Sequence, residues 1–327
     1  MSDTREVLLV YIPCWVNYKK AALQARALRL QYQNNPFIVS NLQLRVVISM
    51  NAVPTLSSND QSELKKWSDN LYIIKQLTGD ININLGFYEA LRTEAHYLWL
   101  LSPEDMVSEE ALTTIVSKLK KEAHRDFLVA NEESRSTKEL KLKAETFSFE
   151  QLSNGSFGMI SGVVYRLVRF RESLHLGLQG SFTHWGQLAV LLGSLERNRS
   201  LTGLMIFSEE LYFRGDTKDV NNEAFSRNIM NYSGSFFGMP LLMHLMTPSS
   251  KPQLARWVRR NFLKIGMYRD AYFRADFPAL QRLINLPWTV EKLIKAESLV
   301  AWIYFRIACS LDFLFLRKLK RLMTRES

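Results

Sequence analysis

The stretch His96–Val116, HYLWLLSPEDMVSEEALTTIV, decides which class of fold this chain adopts. The apolar residues of Tyr97–Leu101 predict a buried strand, and apolar residues at helical spacing predict a helix over about Ser108–Lys121. Between them lies a short polar segment with two adjacent carboxylates, Glu104 and Asp105. A buried strand that ends in a polar loop and leads into a helix is typical of an open α/β sheet, which binds its ligands at this end of its strands.

The carboxylates of Glu104 and Asp105 have two interpretations. Carboxylates at the end of a buried strand can hold a hard divalent cation, and the cation can bind a diphosphate. Alternatively, they only place negative charge at the positive first turn of the helix that follows. The residue types by themselves leave both interpretations open.

Strand-like and helical patterns alternate on both sides of this stretch. The predicted strands are Glu6–Ile12 (ended by Pro13), Leu44–Val53, Leu71–Ile74, Phe127–Ala130, Phe157–Arg166 and Leu204–Phe207, and the predicted helices are Lys19–Gln33, Gly86–Thr93 and Gln187–Glu196. The polar, charged segment Ser134–Glu150 is expected to be a surface loop or an edge hairpin. The alternation predicts an α/β fold with a mainly parallel sheet covered by helices on both faces.

The net charge of +10 comes entirely from the last part of the chain. Residues 1–250 contain 26 Lys and Arg against 26 Asp and Glu, whereas residues 251–327 contain 16 against 6. A neutral domain followed by a basic region is therefore expected, with a soft boundary near Asn231–Pro248. We place the two domains at 1–235 and 236–327.

The basic region combines positive charge with a long apolar run, Leu299–Leu316. Arg306 and Asp312 lie inside this run, so it is a poor membrane-spanning helix. Trp257, Trp288 and Trp302 lie among lysines and arginines. This composition suits an interfacial amphipathic helix on anionic lipid, and the alternative is a helical subdomain or a homo-oligomer interface. Nucleic-acid binding is not expected, because no nucleic-acid-binding module is recognisable.

Two features of the sequence favour a reducing compartment. Cys14 and Cys309 both lie in apolar surroundings, as expected of buried free thiols. The first residues, MSDTREVLLVYIP, contain no charged-then-apolar leader. Together with the basic region, they predict a cytoplasmic protein that is peripheral on the inner face of the cell membrane.

Five segments resemble the GT-A glycosyltransferases, in particular the large family 2 of inverting enzymes. In chain order they are Val7–Asn17 (VLLVYIPCWVN), Asp80–Leu91 (DININLGFYEAL), Tyr97–Asp105, Ser161-Gly162 in MISGVVYR, and Phe182–Leu192 (FTHWGQLAVLL). The resemblance covers about Glu6 to Gly215. It implies a Rossmann-like, mostly parallel mixed sheet flanked by helices, which binds a nucleotide sugar and continues into a basic helical C-terminal extension.

The resemblance also implies the residues of the donor site. Those expected beside the nucleotide or its diphosphate are Pro13, Asn17, Asn51, Asp80, Asn84, Ser102, Glu104 and Arg214. Glu104 and Asp105 are expected to hold Mn²⁺ or Mg²⁺ on the diphosphate. Arg214, in EELYFRGD, would compensate charge on the leaving group, although a solvated arginine is the alternative.

Three positions depart from the family pattern. Ser102 replaces the first acid of the metal motif, and Asn51 replaces an acid after the second strand, where it can hydrogen-bond but carries no charge. No carboxylate lies between Glu172 and Glu196, where a catalytic Asp is expected. His184 is therefore the candidate general base, and the alternatives are a metal ligand, a donor to the diphosphate, or a histidine packed on its neighbouring tryptophan.

The resemblance implies an enzyme that transfers a sugar from a nucleotide-sugar donor to a saccharide acceptor, one that we expect to be lipid-linked and part of a growing surface polysaccharide. One alternative is a sugar nucleotidyltransferase, but that chemistry usually needs a Gly-rich basic loop where this chain has Pro13-Cys14-Trp15. Another is a degenerate, non-catalytic transferase that acts as a membrane-associated partner or scaffold. The missing first acid and the missing Asp base support it.

Overall fold

Eight strands form one mixed sheet in a computed structural model that describes residues 5–14, 17–51, 56–74, 79–132, 135–146, 157, 159–180 and 186–214. These residues belong to one unit, Met1–Thr217. The predicted boundary at 235/236, the basic C-terminal region and His184 lie outside the described residues.

Strands and helices are interleaved along the chain, as the sequence pattern predicts. In order they are β1 (Glu6–Cys14), α1 (Tyr18–Asn34), α2 (Pro36–Asn41), β2 (Leu42–Asn51), α3 (Ser58–Trp67), β3 (Asn70–Ile74), α4 (Gly79–Arg92), β4 (Tyr97–Leu100), β5 (Met106–Val107), α5 (Ala111–Lys121), β6 (Phe127–Asn131), β7 (Lys138–Lys143), β8 (Val163–Arg166), α6 (Leu174–Gln179), α7 (Gly186–Asn198), β9 (Ser200–Phe207) and β10 (Tyr212–Phe213).

The strand order in the large sheet is β3-β2-β1-β4-β8-β6-β9-β7. Strands β3, β2, β1 and β4 are parallel, β8 is antiparallel to both β4 and β6, and β9 is parallel to β6 while β7 is antiparallel to β9. Six strands therefore end at one edge, which we call the carboxyl edge. The predicted mostly parallel mixed sheet is confirmed.

The core lies on both faces of the sheet because β1 is buried on both. Eight of its nine residues are buried. Leu8, Val10 and Ile12 belong to a cluster that includes apolar residues of α1 and α5, whereas α4 packs on the opposite face, against Tyr11. Burial on both faces explains why β1 is a continuous apolar run without alternation.

The prediction that Pro13 ends the first strand is wrong, because β1 continues to Cys14 and Pro13 pairs with Ser49 of β2. Main-chain groups alternate in direction along a strand, so Pro13 faces the same side as Tyr11, whose main-chain oxygen accepts from the Leu101 amide beyond β4. The pairing with β4 stops at Tyr11. The missing amide hydrogen of Pro13 therefore interrupts no ladder.

The fourth helix begins seven residues before the predicted start, at Gly79 and not at Gly86. Gly86 lies within the helix, where a Cβ would lie 2.9 Å from Cδ1 of Tyr11 and would collide with Leu100. The glycine therefore allows α4 to pack closely on β1 and β4. Its role is in tertiary packing, and it does not mark a helix start.

The charged segment after β6 contributes an edge strand, β7, in agreement with the expected edge position. Leu140 and Leu142 are buried while the lysines and Glu139 are exposed, and charged side chains of this kind protect an edge from unwanted pairing. Within the described ranges, no helix combines the length and the apolar character that crossing a membrane requires.

Candidate active site

The carboxyl edge collects the polar side chains that follow the central strands. Asn17 follows β1, Asn51 ends β2, Asn82 and Asn84 lie near the start of α4, Ser102, Glu104 and Asp105 follow β4, and Ser161 precedes the antiparallel strand β8. Since ligands bind at this edge in open α/β sheets, it is the candidate active site.

Glu104 is held by the start of α1. The Lys20 ammonium lies 2.7 Å from Oε2 of Glu104, and the side-chain amide of Asn17 donates to Oε1. Asn17 is the N-cap residue of α1, yet its side chain makes no capping bond and is directed to Glu104 instead. The Lys20 and Glu104 side chains are 34% and 24% exposed, so a ligand at this edge can reach both.

Asp105 is buried, with 8% exposure. Its Oδ2 accepts from the Ser161 hydroxyl, and that hydroxyl oxygen in turn accepts from the Ser102 amide at 2.9 Å. The main-chain oxygen of Ser161 accepts from the Trp99 indole at 2.9 Å. These bonds join the acidic segment to the segment before β8, which is one of the five that resemble the family.

The residues after Asp105 are fixed on two sides. Strand β5 pairs antiparallel with β10, the Ser108 amide donates to the Leu211 oxygen at 3.0 Å, and the Val107 amide donates to Gln24 of α1 at 2.8 Å. Because residues 106–108 are bonded both to α1 and to the segment that contains β10, the acidic segment directly before them has a defined position. The alternative interpretation, that its carboxylates serve only the first turn of α5, disagrees with their contacts: Glu104 contacts Asn17 and Lys20 of α1, and Asp105 contacts Ser161.

The carboxylates of Glu104 and Asp105 supply the hard oxygen donors that Mg²⁺ and Mn²⁺ take, and such ions are commonly held by one or two carboxylates together with substrate phosphates. In the described part of the chain, no group of three or more His, Cys, Asp and Glu side chains is placed to hold a metal ion by itself. The donor chemistry thus fits a cation shared with a diphosphate, and a cation on Glu104 would compete with Lys20. The metal assignment stays a prediction.

Asn82 joins the ends of β1 and β2 from the start of α4. Its buried amide donates to the main-chain oxygen of Ser49 at 3.0 Å and to that of Cys14 at 3.4 Å. The Ser49 hydroxyl donates back to the Asn82 side-chain oxygen. Three elements of the site are therefore held in place by one side chain.

The other predicted nucleotide residues are placed as follows. Pro13 and Asn51 are buried at the ends of β1 and β2. Asn84 is buried against Gly186 at the start of α7. The Asp80 side chain lies outside the described residues, as His184 does.

Arg214 lies beyond β10, where its Nε is 2.9 Å from the Glu132 carboxylate that follows β6. Both side chains are more than one-third exposed, at 56% and 39%. This placement at the carboxyl edge is compatible with the predicted diphosphate contact. It requires Arg214 to exchange Glu132 for the ligand, and the contact stays a prediction.

Burial raises the pKa of the Cys14 thiol to about 12, and the negative charge of Glu104 contributes to the increase. The thiol is therefore protonated at neutral pH. Burial at the end of β1 thus disfavours a thiolate nucleophile there.

Lys20 and Asn82 were not predicted as site residues from the sequence, and no partner was predicted for Ser161. One signal for Lys20 was present, because residues three apart share a helix face and Asn17 is already a candidate. Asn82 had no comparable signal. It and Asn84 are both asparagines of the segment DININLG, and only the direction in which each side chain leaves α4 distinguishes them.

No protein-family model matches the chain, and no curated protein matches it. Among solved structures, it is similar to residues 1–349 of S. aureus TarS in complex with UDP, with a TM-score of 0.53 and 13% identity over 93% of this chain and 88% of that chain. A mannosyltransferase from Pyrobaculum calidifontis, PcManGT in complex with GDP-Man and Mn²⁺, gives a TM-score of 0.46 and 11% identity over 94% and 88%. A 4-diphosphocytidyl-2C-methyl-D-erythritol synthase gives 0.39 and 12% over 68% and 98%.

The similarity to TarS, together with the strand order and the carboxyl-edge site, defines the class of fold. The described part of the chain has a GT-A fold, as the family resemblance implies. TarS and the mannosyltransferase are GT-A-type glycosyltransferases.

Proposed function

We propose that this protein is a glycosyltransferase that transfers a sugar from a nucleotide-sugar donor to a saccharide acceptor. The observation that carries the proposal is the meeting of the β1–α1 turn with the acidic segment at the carboxyl edge, where Asn17 and Lys20 contact Glu104. The GT-A fold supports the donor class. Inversion of the anomeric carbon is the stereochemistry that the resemblance to family 2 implies.

The donor site combines negative and positive groups in a way that suits a charged leaving group. Glu104 and Asp105 would hold Mn²⁺ or Mg²⁺, which when bound stabilises negative charge on the departing diphosphate. Asn82 keeps the ends of β1 and β2 together, so the surface that faces the nucleotide is formed before the donor binds. Arg214 adds positive charge at the same edge if it leaves Glu132.

His184 is proposed as the group that removes the proton from the acceptor hydroxyl. An imidazole titrates near neutral pH and is therefore suited to this proton transfer. Gly186, which follows it by two residues, begins α7 beside Asn84 of α4. Because residue 186 lies beside Asn84, which we expect near the nucleotide, the position of His184 in the sequence supports this role.

The acceptor is proposed to be a lipid-linked saccharide, with the protein on the inner face of the membrane. The support is the ten positive charges in excess after residue 250 and the tryptophans among them. A homo-oligomer interface is the alternative use of that region.

A screen of donors tests the proposed activity and separates it from its alternatives. The full chain is incubated with UDP- and GDP-sugars in the presence of Mn²⁺ or Mg²⁺, and released nucleoside diphosphate is measured. Release from one donor supports the transferase. Pyrophosphate release from a nucleoside triphosphate and a sugar phosphate would indicate a nucleotidyltransferase, and nucleotide binding without turnover of any donor would indicate the non-catalytic protein that Ser102 in the metal motif favours.

A further inference from the structure

Lys20 forms an ion pair with Glu104, a carboxylate that the proposed donor site needs to hold a cation. Its ammonium is 2.7 Å from Oε2 of Glu104, and the Asn17 amide holds the other oxygen of that carboxylate. A divalent cation bound to Glu104 would meet a positive charge already in contact with its ligand. Like charges at this separation repel, so the ammonium and the cation compete.

The Lys20–Glu104 pair is suited to exchange. With the two side chains 34% and 24% exposed, water screens the attraction, and ion pairs of this kind contribute little to stability. The neighbouring carboxylate differs, because Asp105 is 8% exposed and bound by the Ser161 hydroxyl. Glu104 is therefore the carboxylate whose partner can change without a change in the fold.

A displaced Lys20 ammonium would remain at the carboxyl edge, because α1 begins there at Tyr18 and Lys20 lies in its first turn. A diphosphate bound to a cation on Glu104 would place phosphate oxygens beside it. A lysine ammonium and a phosphate oxygen form a charge-assisted hydrogen bond. The lysine thus loses one anionic partner and gains another at the same place.

We propose that Lys20 is a diphosphate-binding residue that is held on Glu104 in the ligand-free protein and is transferred to the donor diphosphate when a divalent cation takes Glu104. The inference rests on the proposed function. It adds that the lysine opposes binding of the cation alone and favours binding of the nucleotide, so one substitution should change the two affinities in opposite directions.

The test uses the full chain and the variants Lys20→Gln and Lys19→Gln. Lys19 is the matched control, because it is an exposed lysine in the same helical turn. Binding of Mn²⁺ alone is followed by electron paramagnetic resonance of the free ion, and binding of UDP and of GDP in saturating Mn²⁺ is followed by calorimetry. We expect Lys20→Gln to bind Mn²⁺ alone a few-fold more tightly and the nucleotide roughly tenfold more weakly, with Lys19→Gln equal to wild type in both.

A second variant, Glu104→Gln, tests the transfer itself. With EDTA present and no cation, it should bind the nucleotide a few-fold more tightly than wild type, because Lys20 is no longer held on a carboxylate. The double variant Lys20→Gln/Glu104→Gln should lose this gain. Circular dichroism and thermal unfolding establish that each variant is folded.

The outcomes separate this inference from the proposed function. If wild type binds UDP or GDP but Lys20→Gln binds the nucleotide as wild type does, or weakens Mn²⁺ and nucleotide together, the role of Lys20 is overturned and the proposed function stands. If wild type binds neither UDP nor GDP in the presence of Mn²⁺, the role of Lys20 and the proposed function are both overturned.

Discussion

Gly186 and Asn84 are in such close contact that a methyl group at residue 186 would lie 2.6 Å from the Cγ of Asn84. Asn84 is buried near the start of α4, and Gly186 is the first residue of α7. The contact brings the start of one helix against the start of another at the carboxyl edge.

Gly186→Ala should disturb this contact. Because the Asn84 side chain is buried and cannot turn into solvent, we expect the free energy of unfolding to fall by about 1–3 kcal/mol, as for other overpacking substitutions. Urea denaturation measures the change. The double variant Asn84→Ala/Gly186→Ala should lose less stability than the two single variants together, since removing the amide makes room for the methyl group. Additive losses would show that the two residues are not in contact.

Asn82→Ala should weaken the carboxyl edge at three points at once. It removes the donor to Cys14 and Ser49 and the acceptor of the Ser49 hydroxyl, all within a buried region. We expect a loss of about 1–3 kcal/mol in the free energy of unfolding and weaker nucleotide binding. Ser49→Ala should cost less, because the two amide donations to main-chain oxygens survive. The control is Asn41→Ala, which lies before β2 at the opposite edge and should leave nucleotide binding unchanged.

Asp105→Ala and Glu104→Ala should each abolish the increase in nucleoside diphosphate affinity that Mn²⁺ produces. Calorimetric titration with UDP and GDP, with and without Mn²⁺, measures it. Asp105→Ala also removes the acceptor of the Ser161 hydroxyl, which should lower stability by about 1–3 kcal/mol. Ser161→Ala serves as the control: it should lower stability while the Mn²⁺ effect survives. An unchanged Mn²⁺ effect in both acid variants would remove the metal assignment.

His184→Ala should lower turnover far more than donor affinity, because a base acts on the acceptor during transfer and contributes little to binding of the donor. The expected loss in rate is on the order of 10²–10⁴-fold. Steady-state transfer and donor titration together give the comparison. His175→Ala, at an exposed position on α6, is the matched control. Transfer within a few-fold of wild type would show that the base lies elsewhere.

The basic C-terminal region should bind vesicles that contain anionic lipid in preference to neutral ones. Each Lys or Arg near such a surface contributes about 1 kcal/mol, an effect that salt screens, whereas buried Trp and Leu would add a share that salt does not remove. The combined change of Lys318, Lys320 and Arg321 to Gln should therefore weaken the affinity for anionic vesicles by up to roughly 100-fold at low salt. Co-sedimentation with the vesicles measures this affinity. The same change at Lys19, Lys65 and Lys66 is the control. No preference for anionic lipid would indicate a protein–protein interface.

The class of fold could be predicted from the sequence because the pattern that encodes strands and helices is local. Tyr97–Leu101 and the helix after it were predicted within a few residues of β4 and α5. Pro13 and Gly86 were misassigned because their roles depend on residues that are distant in sequence. Whether a proline ends a strand depends on which neighbour lies on its amide side, and whether a glycine starts a helix or sits inside one depends on what packs against it.

In the candidate site, too, the sequence determined some features and the tertiary structure decided others. The acidic pair and its place after a buried strand were determined by the sequence alone, since the residue types and their spacing carry that signal. The partners of the pair were decided by tertiary structure: Lys20 is 84 residues from Glu104, Ser161 is 56 from Asp105, and Ser49 is 33 from Asn82. They meet because β1 lies between β2 and β4, so that segments distant in sequence end at one edge. No local pattern specifies which side chain will be next to which at that edge, because strand order and the direction of each side chain depend on packing across the whole sheet.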